Sequence, residues 1–210
     1  METWSLDVMV GGVPEALVMR RDMGANMHAE ALTRAQEFAL LGVAHAHGVR
    51  CPKPRWLYEP EPGAESRAFF LMDRCPGESV GRRVVRLPEL AEARKGLARE
   101  MGRELAKIHA VPVTDVLAFL PTPRAGMSPA ESALASLRET MTALARENPV
   151  WEYAWRWLSR RVPSRAASEP WGLVHGDFRV GNLLVTPEGL SAAIDWEFSH
   201  NTFAPALIQG

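Results

Sequence analysis

The N-terminal apolar positions have a period of two. Trp4, Leu6, Val8 and Val10 alternate with polar or smaller residues. Gly11-Gly12 follows, and then the apolar stretch Ala16 to Met19. This pattern predicts two strands joined by a tight glycine turn. Residues 24–26 read as a loop. The period then changes: Leu32, Ala35, Ala39, Leu40 and Val43 recur at helical spacing and predict a helix over 29–47, ended near Gly48. Pro52 and Pro54 force an extended stretch toward Trp56 and Leu57. Phe69 to Met72 reads as a buried strand, broken by Pro76-Gly77.

Beyond Leu87 the pattern is mainly helical. Leu97, Met101, Leu105 and Ile108 mark one face of a long helix. Ser128-Pro129-Ala130-Glu131 is a capping box with proline at the first helical position. Leu134, Leu137, Met141 and Leu144 are the expected buried stripe of the helix that follows. Pro149 opens another helix, in which Trp151, Trp155 and Trp157 are expected to pack. Residues 160–168 read as a basic surface connection. Short apolar runs at Leu173-Val174, Leu183 to Val185 and Ala192 to Ile194 return to strands, and a turn over Thr186 to Gly189 joins the last two. The best boundary lies near Asp73 to Gly77 and divides the chain into 1–75 and 76–210.

Composition narrows the function classes. The 210 residues carry 24 Lys+Arg against 25 Asp+Glu, so bulk charge gives no pull toward nucleic acid. No apolar run approaches the roughly 20 residues of a spanning helix. The two cysteines, Cys51 and Cys75, exclude a disulfide scaffold, and the N-terminus lacks a leader pattern; a cytoplasmic compartment is expected. His45 and His47 lack a third ligand at zinc-like spacing.

The chemistry concentrates in His175-Gly176-Asp177-Phe178-Arg179-Val180-Gly181-Asn182 and in Ile194-Asp195-Trp196-Glu197. Hard oxygen donors suit Mg2+, which takes few carboxylates and keeps water and phosphate oxygens. Asp195 and Asn182 are the candidate metal ligands. Asp177 is then available to accept a proton from an attacking hydroxyl, and Arg179 to face charge on a transferred group. His175 is expected to brace the loop backbone rather than react, and Glu197 to be either an acid supporting the site or, slightly favoured, a strand-end charge.

These two motifs resemble the aminoglycoside phosphotransferase and choline-kinase-like family, and more narrowly the phosphotransferase domains related to those fused to some acyl-CoA dehydrogenases. The resemblance runs from about Trp4 to Glu197. It implies an α+β, two-lobed protein-kinase-like fold, with a small N-terminal sheet-plus-helix lobe over a larger, mostly helical C-terminal lobe bearing catalytic β-hairpins. It implies ATP and Mg2+ as cofactors and transfer of the γ-phosphate to a small-molecule hydroxyl acceptor, without nucleic acid or membrane partners. It also implies that Arg20 contacts nucleotide phosphates with Glu37 as its acidic partner, and that Met72, Asp73 and Cys75 belong to the nucleotide-binding hinge. Compared with the family, the first strand with most of the phosphate-covering loop, and the C-terminal helices, are expected to be missing. A non-catalytic nucleotide-binding homologue and a fragment of a longer kinase remain open, as do the acceptor and the oligomeric state.

Overall fold

The computed structural model describes residues 2–23, 31–144, 148–162 and 171–203. The expected loop at 24–26 lies outside them, as does most of the expected connection at 160–168.

Strands β1 (Glu2–Val10) and β2 (Val13–Arg21) pair antiparallel from Glu2↔Arg21 to Val10↔Val13. Gly11 and Gly12 both have positive φ, 58° and 85°, the backbone that a two-residue turn needs to match the strand twist. Strands β3 (Pro54–Tyr58) and β4 (Phe69–Asp73) complete an antiparallel sheet of order β1-β2-β4-β3. Its register fixes which side chains share a face. Thr3 lies opposite Arg20, and Val18 lies opposite Met72. With alternation along each strand, Thr3, Val18, Arg20 and Met72 therefore point the same way.

Helix α1 (Arg34–Ala46) begins five residues later than the periodicity suggested. Thr33 caps it, in a reciprocal box with Gln36. Its buried stripe is Arg34, Glu37, Leu40, Leu41 and Ala44, so two charged residues occupy the first turn of an otherwise apolar face.

Helices α2 (Gly81–Arg86) and α3 (Ala91–Ala110) follow; α3 buries Ala93, Leu97, Glu104 and Ile108. Helices α4 (Pro129–Ala143) and α5 (Pro149–Ser159) form a hairpin. The Ser128–Glu131 capping box forms as expected. The stripe on α4 does not bury: Leu137 is 42% and Leu144 51% exposed, because α5 covers only part of that face. Trp155 donates through Nε1 to the Leu134 carbonyl, whereas Trp151 and Trp157 stay exposed, with Arg161 stacked over Trp157.

The C-terminal part holds two antiparallel ribbons. Strand β5 (Trp171–Val174) pairs with β8 (His200–Phe203), and β6 (Leu183–Thr186) pairs with β7 (Gly189–Ala193). Strand β8 had no periodic signal in its four residues. The linker after β4 is bridged to β6 through Glu78 and Val185, which exchange backbone hydrogen bonds of 2.9 and 3.0 Å. One hydrophobic cluster runs continuously from Leu40 and Phe70 through Leu97 and Ile108 to Leu183 and Trp196. Among the described residues, no helix is long and apolar enough to cross a membrane.

Candidate active site

A cleft of about 340 Å³ separates the four-stranded sheet from the β6–β7 ribbon. Thr3, Val18, Arg20, Met72 and Asp73 line it from the sheet, Cys75 from the linker after β4, and Asn182, Leu184, Ile194 and Asp195 from below. Six of the nine sequence-predicted site residues therefore face one space. Glu37 stands behind Arg20, out of the cleft. Asp177 and Arg179 are not among the lining residues, but Asn182 joins Asp177 to it.

The loop carrying Asp177 is held by His175. Gly176 (φ 83°) makes the turn; a Cβ there would sit 2.1 Å from the Phe198 carbonyl oxygen, so no side chain fits. The buried imidazole accepts the Asp177 N–H at Nδ1 (3.3 Å) and faces the Ile194 carbonyl with Nε2 (3.1 Å). Those partners require a neutral ring protonated at Nε2. Burial pushes the His175 pKa down to about 4, against the upward pull of the Ile194 carbonyl and of Asp195 and Asp177. The ring packs 4.6 Å from the fully buried Trp196. His175 thus ties the Asp177 loop to the strand that delivers Asp195.

Asp177 is oriented by its neighbours. Asn182 Nδ2 donates to its Oδ2 (2.7 Å) and to its backbone carbonyl (3.0 Å). Arg179 Nε donates to the same carboxylate at 3.1 Å. These bonds fix the nitrogen side of the Asn182 amide and turn its oxygen the other way. The Ile194 N–H donates to the Asn182 backbone carbonyl (2.9 Å), which keeps Asn182 beside Asp195. Asp195 is the one non-glycine residue with positive φ among those described (68°), a strained backbone of the kind found where function fixes a side chain.

Arg20 is the hub of the charge pattern. Its Nη2 lies 3.0 Å from Asp195, 3.2 Å from Glu37 and 3.7 Å from Glu197. Burial works to lower its pKa, but Glu37, Asp195 and Glu197 outweigh it and raise the net value. Burial likewise raises the Glu37 carboxyl, against Arg20 and Arg34. Glu197, for which a strand-end charge was slightly favoured over a supporting acid, is part of this network. Arg34 and Asp22 also belong to it and were not anticipated; the Thr33 capping box and the Arg34–Glu37 spacing of three residues were the available signals.

The residues suit a divalent ion of the Mg2+ type. Asp195 and Asn182 present a carboxylate and an amide to one cleft, the sparse oxygen set used when phosphate and water complete the shell. Among the described residues, no group of three or more His, Cys, Asp or Glu side chains is placed to hold a metal by itself.

A family model described as the phosphotransferase enzyme family (APH) matches residues 7–204. The chain belongs to this family. Acyl-CoA dehydrogenase family member 10 of Mus musculus is 27% identical over 188 residues, covering 87% of this chain and 17% of the mouse protein. A protein of Ralstonia eutropha, provisionally assigned as an aminoglycoside phosphotransferase, superposes with a TM-score of 0.69 at 22% identity, covering 96% of this chain and 60% of that one. A thermostable mutant of the aminoglycoside phosphotransferase APH(4)-Ia, solved as a ternary complex with ADP and hygromycin B, superposes with a TM-score of 0.59 at 14% identity, with 96% and 65% coverage. This member of the phosphotransferase family therefore has the α+β, kinase-like fold, and it spans less than two thirds of the length of each of these relatives.

Proposed function

We propose that this phosphotransferase-family chain binds ATP with Mg2+ in the cleft and transfers the γ-phosphate to a hydroxyl of a small molecule. The reading is carried by one observation: Arg20, Met72, Asp73, Cys75, Asn182 and Asp195 line a single cleft, with Asp177 hydrogen-bonded to Asn182 at its edge. The ADP and hygromycin B bound by APH(4)-Ia support it by analogy of fold. On this reading residues 1–75 form the nucleotide-binding lobe and 76–210 the catalytic lobe, joined at the linker after β4.

Each side chain then has a task. The apolar Val18, Met72, Leu184 and Ile194 take the base, and backbone groups of the 72–75 segment orient it. Arg20 exchanges its contact with Asp195 for phosphate oxygens. Asp195 and Asn182 would hold Mg2+, which would supply positive charge against the phosphates. Asp177 accepts the proton of the attacking hydroxyl as the new O–P bond forms and the bond to the leaving phosphate oxygen breaks. Arg179 and Asn182 hold that carboxylate in line, and Arg179 places positive charge beside the group in transit.

The test is a coupled ADP-release screen over alcohols, amino sugars, macrolides and hydroxyacyl thioesters, with Asp177→Asn as control. Acceptor-dependent release that the substitution abolishes is the expected result. Equal release by both proteins overturns the assignment of Asp177. ATP binding without release on any acceptor favours a non-catalytic nucleotide-binding homologue.

A further inference from the structure

The buried charges around Arg20 do not balance on Arg20 alone. A single nitrogen, Nη2, serves Asp195, Glu37 and Glu197 at 3.0, 3.2 and 3.7 Å. Arg20 is 5% and Glu37 1% exposed, so water does little to screen that pair, and it reaches Glu197 (18%) and Asp195 (27%) only in part. Arg20 Nε is also buried without a hydrogen-bond partner. A buried orphan donor at the wall of a cleft is costly until an incoming acceptor, such as a phosphate oxygen, meets it.

The second positive charge is Arg34, one helical turn before Glu37 and 4% exposed. Each of its guanidinium nitrogens lies close to an oxygen of a neighbouring group. Nη1 pairs with Glu37. Nη2 donates to Glu197 Oε2 (3.4 Å) and to the Leu32 carbonyl (3.2 Å). Nε lies 3.0 Å from Asp22 Oδ1. The backbone doubles the link, since the Leu32 N–H donates to the Glu197 carbonyl at 2.8 Å. Arg34 itself does not line the cleft.

We infer that Arg34 is a positioning residue of the nucleotide site: it holds Glu37 and Glu197, so that Arg20 is free to exchange Asp195 for phosphate oxygens. The inference rests on the nucleotide reading of the cleft. Without Arg34, Glu37 and Glu197 lose a shared partner, and both then compete for Arg20. That competition draws Arg20 away from the cleft and loosens the start of α1 from the Asp195–Glu197 segment. Lysine keeps the charge but is a point donor, unable to span Glu37, Glu197 and Asp22 together, so it restores only part of the effect.

The experiment measures Mg-ADP affinity of the full chain by calorimetry, with hydrogen exchange over residues 34–46, for wild type, Arg34→Gln and Arg34→Lys. Arg34→Gln is expected to bind about ten-fold more weakly, Arg34→Lys to fall between it and wild type, and exchange in α1 to rise in the same order. A purely structural role predicts a lower melting temperature with unchanged affinity, measured well below that temperature, and this result overturns the inference. If Arg34→Gln does not fold, the lysine variant decides: wild-type affinity overturns the inference, and a loss of a few-fold upholds it. A wild-type chain that binds no nucleotide overturns the proposed function itself, and the inference with it.

Discussion

The floor of the cleft and the α4–α5 hairpin are both rich in aromatic and charged residues, yet they are held in different ways. In the floor, several buried polar side chains are tied to backbone groups. His175 bridges Asp177 and Ile194, Trp196 donates to the Ala193 carbonyl (3.0 Å), and Ser199 Oγ donates to the His175 carbonyl (3.2 Å). In the hairpin, the helices are well capped at Ser128 and Asn148, but the outer charges pair with each other at the surface, as in Arg156–Glu152 and Arg138–Glu152. Such pairs contribute little. Local signals suffice to make a helix, whereas the fixed geometry of a site requires bonds that cross between elements.

The contrast can be broken or sharpened by substitution, from the largest effect down. Gly176→Ala places a Cβ against the Phe198 carbonyl in a left-handed backbone, and a loss of more than about 3 kcal/mol is expected in chemical denaturation. Wild-type stability for that variant breaks the account of the floor.

Protonation of His175 comes next. Its folded pKa of about 4 lies below the ordinary 6.5, so the unfolded chain takes up the proton first as pH falls. Its contribution is fully present above pH 6.5 and is lost progressively toward pH 4, on the order of 3 kcal/mol in all. His175→Gln should lower stability at pH 7 and flatten the slope of stability against pH across that window. An unchanged slope contradicts the buried neutral ring.

The smallest effect belongs to the hairpin. Tyr153, 71% exposed, should tolerate Tyr153→Ser within about 0.5 kcal/mol by the same denaturation assay. A loss several times larger shows that the hairpin is held by contacts other than those seen.

Much of this was legible in the sequence, and the gaps have physical causes. The Gly11-Gly12 hairpin, the Phe69–Met72 strand and the Ser128 capping box depend on neighbouring residues, and neighbours are what a linear pattern records. The α1 start was displaced because apolar periodicity was followed past the Thr33 cap. The α4 stripe had the right period, but whether a stripe buries depends on what covers it, and α5 covers only part. At the site, Asp177, Asn182 and Asp195 stood out by motif. Arg34 did not, and Glu197 stood in the motif without its link to Arg34, because that contact joins positions 163 residues apart and leaves no local trace. The same holds for Thr3, which reaches the cleft through its register with Arg20.

The central claim is that Asp177, braced by Asn182 and Arg179, takes a proton from an acceptor hydroxyl beside a nucleotide held in the cleft. Its most direct measurement is kcat for acceptor-dependent ADP release by the Asp177→Asn chain. The account predicts a fall of about a thousand-fold, within the range for loss of a general base, at nearly unchanged nucleotide affinity. A kcat within a few-fold of wild type would contradict it.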